Sequence, residues 1–374
     1  MEGLQEKMLE ALSRGRARGS RPAVAAVSAL ALALLAALAL AASPARIEVQ
    51  AVLVSPDNIT ELLDYVSSAR RAVYAEVYVL TYRPLAEALA AAARRGADVC
   101  VVLSARVYGG VPQQARELAE YLSQSGVRVR WSADFPSVHS KLYVIDNETV
   151  IVGNINPTYS GFHKNRGVML VIRNSTLAGQ LAEIVLNDCR GSVRMRYDYP
   201  GILVSPVNSE EGLSWLLSQP GDLYMAVEEV ELGSGLVPLI LSHPRRYIVV
   251  ARTDADIGAV RDENLVAKVI VVGDYAYVGS INLGGYSIRR NREVGLLIRS
   301  GELAERLRQL VLRWYAEAGG APAREGAVAA RGVPGHVLHA VVWAAVVAAA
   351  AALAILASRR GRAAGAPPGP VRRF

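Results

Sequence analysis

The 374-residue sequence predicts a bilobal, duplicated α/β fold flanked by two transmembrane helices. Three observations predict it. Short apolar stretches rich in β-branched residues alternate with helical periodicity from residue 46 to residue 318. The alternation then restarts: Leu53-Val54-Ser55-Pro56 returns 150 residues on as Leu203-Val204-Ser205-Pro206. Finally, two long uncharged runs bracket this body.

The brackets come first in the chain and set the topology. Residues 23–42 and 337–357 carry no charge, and at 1.5 Å per residue each reaches about 30 Å, the thickness of a bilayer core. A cleaved signal peptide is the alternative for the first run, but its apolar stretch exceeds the usual core of about 7–15 residues. An uncleaved span over 23–43 is therefore expected, with a second over 337–357. Residues 1–22 and 358–374 hold the arginine-rich flanks, which the positive-inside rule places in the cytoplasm, leaving 44–336 on the outer face. The net charge of +7 belongs to those flanks, since residues 44–336 hold 31 basic and 31 acidic side chains. That balance removes the usual argument for a nucleic-acid groove.

Three N-x-[ST] sequons, at Asn58, Asn147 and Asn174, fall within the body and agree with export. Two cysteines exclude a disulfide scaffold and any multi-cysteine zinc site. An external location permits a Cys100–Cys189 bridge, but the apolar strand around Cys100 favours a buried free thiol.

Within the body, strands are expected over 47–56, 72–82 and 98–104, with helices over 58–71, 83–95 and 113–125. A helix over 209–218 and a strand over 222–230 open the second copy. Downstream the copies align at an offset of 126. Ile151-Val152-Gly153-Asn154-Ile155-Asn156 matches Tyr277-Val278-Gly279-Ser280-Ile281-Asn282, and Lys164-Asn165-Arg166-Gly167-Val168 matches Arg290-Asn291-Arg292-Glu293-Val294. The repeats are expected over 46–190 and 191–318, followed by a linker over 319–336. The second is shorter, with little room for a helix between Arg252 and Asn264.

The chemistry concentrates in His139-Ser140-Lys141, four residues, then Asp146, followed by Gly153-x-x-Asn156. On a strand, His139 and Lys141 face the same side. An imidazole can attack phosphorus there while an ammonium neutralises phosphoryl charge without a metal. Asp146 has the opposite parity and fits a role tying the motif strand to its neighbours. The chain has 37 Arg but only 4 Lys, and two of these, Lys141 and Lys268, stand at equivalent places in the repeats. A compact ammonium is thus selected where arginine is the default.

With this motif inside a repeat, the sequence resembles the phospholipase D superfamily across residues 46–318. The resemblance implies a phosphodiesterase or phosphatidyltransferase working through a phosphohistidine, with no cofactor and no metal. It makes His139 the nucleophile and includes Lys141 and Asp146 in the catalytic motif. Asn156, Lys268 and Asn282 become phosphate-binding residues. The second half departs from the family pattern: Val266 stands two residues before Lys268, where a histidine is expected, and Asp274 only approximates the aspartate. The first half has Gly167 where the second has Glu293. If a carboxylate from one half orients the histidine of the other, His139 keeps Glu293, and Val266 and Gly167 mark a pair lost together.

The general acid is then missing. His163, His243, Asp274 and Glu263 are the candidates for its replacement, although both histidines read better as loop residues and the two carboxylates would need burial to raise their pKa. Arg289, Arg290 and Arg292 could meet an anionic head group, but a solvated edge is the default reading of such a cluster. The charge-rich stretch 300–314 reads as an amphipathic helix packed on the body. The expected substrate is a membrane phospholipid, given the two anchors and the neutral body. The alternatives are an exported nuclease that pairs two copies of His139 in a homodimer, and a phosphate-binding pseudoenzyme. Monomer and homodimer both remain open.

Overall fold

A computed structural model describes residues 47–321, apart from 195, 196 and 198. The two expected spans, residues 23–43 and 337–357, lie outside the described residues. No helix among those described is long and apolar enough to cross a membrane.

The first half runs β1 (Val49–Ser55), α1 (Glu61–Ser67), β2 (Ala72–Val77), α2 (Arg83–Arg94), β3 (Asp98–Ser104), α3 (Gln113–Gln124) and β4 (Arg128–Ser132). It continues through β5 (Lys141–Ile145), β6 (Thr149–Gly153), α4 (Tyr159–His163), β7 (Gly167–Arg173) and α5 (Ser175–Arg190). The second half repeats the order: β8 (Ile202–Ser205), α6 (Ser209–Leu217), β9 (Leu223–Val230), α7 (Val237–Leu241), β10 (Arg246–Thr253) and β11 (Val260–Arg261). It ends with β12 (Lys268–Val272), β13 (Tyr275–Gly279), α8 (Gly285–Arg289), β14 (Glu293–Arg299) and α9 (Gly301–Glu317).

Each half builds a seven-stranded mixed sheet. The orders are β1-β7-β6-β5-β2-β3-β4 and, read in the same sense, β8-β14-β13-β12-β9-β10-β11. Element for element these are one topology, except that α3 has no counterpart between β10 and β11 among the described residues. The central strands are apolar on both faces: β2 and β5 are buried throughout, as are β12 and all but the first residue of β13. Helices α1 to α3 cover the outer face of the first sheet through residues such as Leu85, Leu89, Leu118 and Leu122, whose spacing of three and four makes one apolar stripe. The inner faces of both sheets share a central core with α5 and α9. There β6 and β7 pack on β13 and β14. Both halves belong to one compact unit ending at Gly320.

α5 and α9 start alike, with Asn174 Oδ1 accepting from the Leu177 N–H (3.0 Å) and Ser300 Oγ from the Leu303 N–H (3.2 Å). Asn58 Oδ1 accepts from the Val54 N–H at 2.7 Å. Two of the three sequon asparagines thus hold backbone at helix entries, which gives those positions a structural reason to be Asn. Residues 300–314 form most of α9, whose Leu303, Leu307, Leu310, Val311 and Trp314 are buried.

The free-thiol reading of Cys100 is corrected. Cys100 on β3 and Cys189 on α5 form a disulfide, with Cα atoms 6.7 Å apart. α5 lies on the inner face of the first sheet, the face from which Cys100 projects, so burial and pairing coincide.

Candidate active site

The two halves meet through matching loops. Val138, just before β5, bridges to Arg292, just before β14: the His139 N–H donates to Arg292 O at 2.7 Å and the Arg292 N–H to Ser137 O at 2.8 Å. The pseudo-twofold mate of this contact joins Leu265 to Arg166, where the Val266 N–H donates to Arg166 O at 2.9 Å. Each motif strand is thereby presented to the loop that enters the last strand of the other half.

At the first of these corners His139 Nδ1 lies 3.1 Å from Glu293 Oε2. Glu293 is fully buried and also accepts from Ser287 Oγ (2.7 Å) and Asn291 Nδ2 (3.3 Å), both from around α8. Burial would favour its neutral form, but His139, Lys141 and the Ser287 hydroxyl together hold its carboxyl below the usual range. Burial and the Lys141 ammonium push the His139 imidazole down, against the opposing pull of Glu293. The pair at neutral pH is therefore a carboxylate and a neutral imidazole. Its Nδ1–H points at Glu293, and Nε2 is left with a free lone pair. The side chain is 18% exposed, and the edge of Tyr78 stands against it with ring centroids 4.8 Å apart.

Lys141 and Lys268 open β5 and β12 and are both buried. Lys141 Nζ donates to His139 O at 2.6 Å, and Lys268 Nζ donates to Val266 O at 3.0 Å and to Glu228 Oε2 at 2.5 Å. Burial, and then the Lys268 charge, hold the Lys141 ammonium well below the ordinary lysine range. An anion bound between the two ammoniums would relieve that repulsion.

An open cleft of about 430 Å³ gathers His139, Glu293, Asn282, Ser287, Tyr78 and Glu228. Asn156 does not line it, nor do the buried Lys141 and Lys268, and Asn282 Oδ1 accepts from the Glu229 N–H at 3.2 Å. The glycines of the paired Gly-x-x-Asn segments permit a close backbone approach, since a Cβ on Gly153 would run into the Val168 carbonyl of the next strand.

The structure does not bring Asp146 to the site, which corrects its inclusion among the catalytic residues. It lies past the far end of β5, and its carboxylate accepts from the backbone N–H groups of Arg70, Arg71 (2.7 Å) and Ala72 (2.9 Å). Partial burial works against its charge, yet those donors hold its carboxyl below the usual range. It has a positive φ of 55° in the tight β5–β6 turn, a conformation Asp tolerates better than most residues.

None of the four candidate replacement acids lines the cleft. Asp274 and Glu263 are exposed, His163 faces Tyr82 from the surface, and His243 is buried with Nδ1 on Gly221 O (2.9 Å). Arg292 is not on a solvated edge. It is fully buried and grips Asp188 with two bonds (2.5 and 2.8 Å) at the junction of the halves.

Sequence reasoning missed Glu228. It lies one residue beyond Val227, the partner of Lys268, as Tyr78 lies beyond Val77, the partner of Lys141. The signal was present, because the 150-residue offset of the two Leu-Val-Ser-Pro strand ends sets Glu228 on Tyr78.

At the mate of the His139–Glu293 corner, Val266 faces Gly167. A Cβ on Gly167 would come within 3.1 Å of Val266 Cγ2 and within 2.8 Å of Ile155 and Asn154 side-chain atoms.

Known proteins supply the comparison. Residues 62–189 match the family model described as "Cardiolipin synthase, PLD-like domain". That segment is thus a phospholipase D-like domain. The chain is 27% identical over 183 residues to cardiolipin synthase 2 of Staphylococcus epidermidis, an alignment covering 46% of this chain and 36% of the relative. The chain thus spans about a third of the length of the curated relatives it matches. Among solved structures, phosphatidylserine synthase of Haemophilus influenzae shares the fold with a TM-score of 0.55 and 12% identity, over 72% of this chain and 88% of that one. Polyphosphate kinase of Porphyromonas gingivalis gives a TM-score of 0.55 at 13% identity, over 70% and 49%. The superfamily match by sequence falls on the first half, which carries the complete motif.

Proposed function

We propose that this chain is a phosphodiesterase or phosphatidyltransferase that acts on membrane phospholipids through a phosphohistidine. The observation that carries this reading is the His139–Glu293 pair at the cleft, with the Lys141 and Lys268 charges near enough to act on the imidazole. His139 Nε2 attacks phosphorus, Glu293 holds the ring and balances the charge it gains, and Lys141, Lys268 and Asn282 receive the phosphoryl oxygens. The P–O bond to the leaving group breaks as the N–P bond forms. Water or an alcohol then attacks phosphorus, and the N–P electron pair returns to the imidazole. A lipid substrate is favoured over nucleic acid by the neutral charge of residues 44–336 and by the apolar runs on either side, which would hold the body at the outer face of a membrane. The homodimer reading is disfavoured because the loops through which a second copy would pair are already matched within one chain.

The test uses the full chain, wild type and His139→Ala, in EDTA with vesicles of phosphatidylglycerol doped with phosphatidyl-p-nitrophenol, and separately with single-stranded DNA. Lipid turnover in the wild type, reduced by at least about 10³ in His139→Ala, is the expected result. DNA cleavage without lipid turnover would overturn the lipid assignment. Equal background rates in both proteins would overturn the enzyme.

A further inference from the structure

The vacated corner of the cleft holds a carboxylate. Where the first half sets Tyr78 beside His139, the second half sets Glu228 beside Val266, the residue in place of the second histidine. Glu228 lines the same cleft as His139 and is fixed from two sides: Oε2 on Lys268 Nζ at 2.5 Å and Oε1 on Arg252 at 3.2 Å. The groups facing it are Lys268 from β12, Arg252 from β10, Glu229 from its own strand, and the His139 imidazole close enough to act on its ionisation. The pseudo-twofold relation places it across the cleft from His139. In an in-line displacement that is the side from which the leaving group departs and the acceptor enters.

We propose that Glu228 is the base of the second step, taking the proton from the water or alcohol that attacks the phosphohistidine. This deepens the two-step reading above and rests on it. As the acceptor oxygen forms its bond to phosphorus, the N–P bond breaks and its electrons return to His139 Nε2. The acceptor proton passes to Glu228 and from there to solvent through the open cleft. Glu228 is ionised and so able to accept a proton: burial opposes its charge, but the Lys268 ammonium and its hydrogen bond, with His139 and Arg252, together hold the carboxyl below its usual range. Lys268 keeps one of its three donors for a phosphoryl oxygen, so the substrate need not displace Glu228.

The experiment uses the full chain in micelles of phosphatidyl-p-nitrophenol, whose leaving group needs no proton, with glycerol as acceptor. Wild type, Glu228→Gln, Glu228→Asp and His139→Ala are compared in rapid mixing, and alkali-quenched samples are weighed for phosphorylated His139. Glu228→Gln is expected to release one equivalent of p-nitrophenol in a burst near the wild-type first-step rate, then turn over about 10²–10⁴ times more slowly and accumulate phosphohistidine. Glu228→Asp should recover part of that turnover, which a folding defect would not allow. Replacing the activated ester by phosphatidylglycerol should slow the wild-type first step. If Glu228→Gln slows burst and turnover equally, the residue only positions Lys268 and the proposal falls. It falls equally if neither rate changes. If p-nitrophenol release persists at the wild-type rate in His139→Ala, the two-step reading itself fails, a result told apart from the others because it is read at His139 and not at Glu228.

Discussion

The cleft has two corners related by a pseudo-twofold axis, and they differ at the histidine, the carboxylate and the serine that holds it. At one, His139 meets Glu293, which is also held by Ser287 and Asn291. At the other, Val266 meets Gly167, and the residue equivalent to Ser287 is Gly161. Because the contact crosses between halves, a histidine and its carboxylate belong to opposite repeats. Losing either one leaves the other a buried polar group without a partner, which costs about 1–3 kcal/mol. Drift to valine and glycine removes that penalty on both sides at once. The unit that changes is the corner, so neither repeat is wholly intact and neither wholly degenerate.

The strongest way to break this comparison is Glu293→Gln. Turnover should fall by about 10²–10³, since the amide cannot balance the charge His139 acquires. The pH profile sharpens the result. Burial and Lys141 already hold His139 below its ordinary value of about 6.5, and Glu293 opposes them. Removing that opposition moves the acid limb of the first-step rate to still lower pH, even as the plateau drops. An acid limb that moves upward would contradict the arrangement, and p-nitrophenol release measured between pH 4 and 8 decides it.

A second contrast lies behind the sheets. Cys100 and Cys189 join β3 to α5, and their equivalents, Tyr247 on β10 and Tyr315 on α9, make an edge-on aromatic contact at 5.7 Å. The same junction is thus covalent in one half and packed in the other. Cys100→Ser with Cys189→Ser should lower stability by about 3 kcal/mol, read as a fall in Tm, with kcat unchanged. Removing the Tyr247–Tyr315 contact should show a coupling of only about 1 kcal/mol in a double-mutant cycle.

The smallest effects are expected at the two turns beyond the motif strands. Asp146→Asn keeps the shape but weakens acceptance from three backbone N–H groups, costing about 1–2 kcal/mol at neutral pH. Its carboxyl is held below the unfolded value of about 3.9, so its contribution is complete above that pH and lost as pH falls through the folded value. Acid unfolding of the variant should therefore converge on that of the wild type. The exposed Asp274 has no such donors among the described residues, and Asp274→Asn should stay within about 0.5 kcal/mol.

Much of this was legible in the sequence because it lay in repeats and periodicities. The duplicated strand ends, the Gly-x-x-Asn pairs and the rarity of lysine identified both halves and both ammonium positions. The crossed His139–Glu293 pair could be posed as a condition because two absences matched. What escaped had no local signature. Glu228 is an ordinary polar residue at the end of an apolar strand, and only the register of β9 on β12 gives it meaning. Arg292 looks like one more surface arginine until Asp188, 104 residues away, closes around it. Asp146 belongs to the motif by spacing, but its direction is set by a turn. The cysteine pair depended on which face of β3 meets α5, which pattern alone does not reveal.

The apolar corner has a stereochemical consequence. In a cleft with two equivalent histidines, a phosphodiester can lie in either of two orientations and be attacked from either face. With Val266 and Gly167 at the other corner, the proposed mechanism would have one nucleophile and one direction of attack. Phosphorus would be inverted once from the His139 face and once from the opposite side, and donor and acceptor could not exchange seats. A duplication that began as symmetry has become handedness.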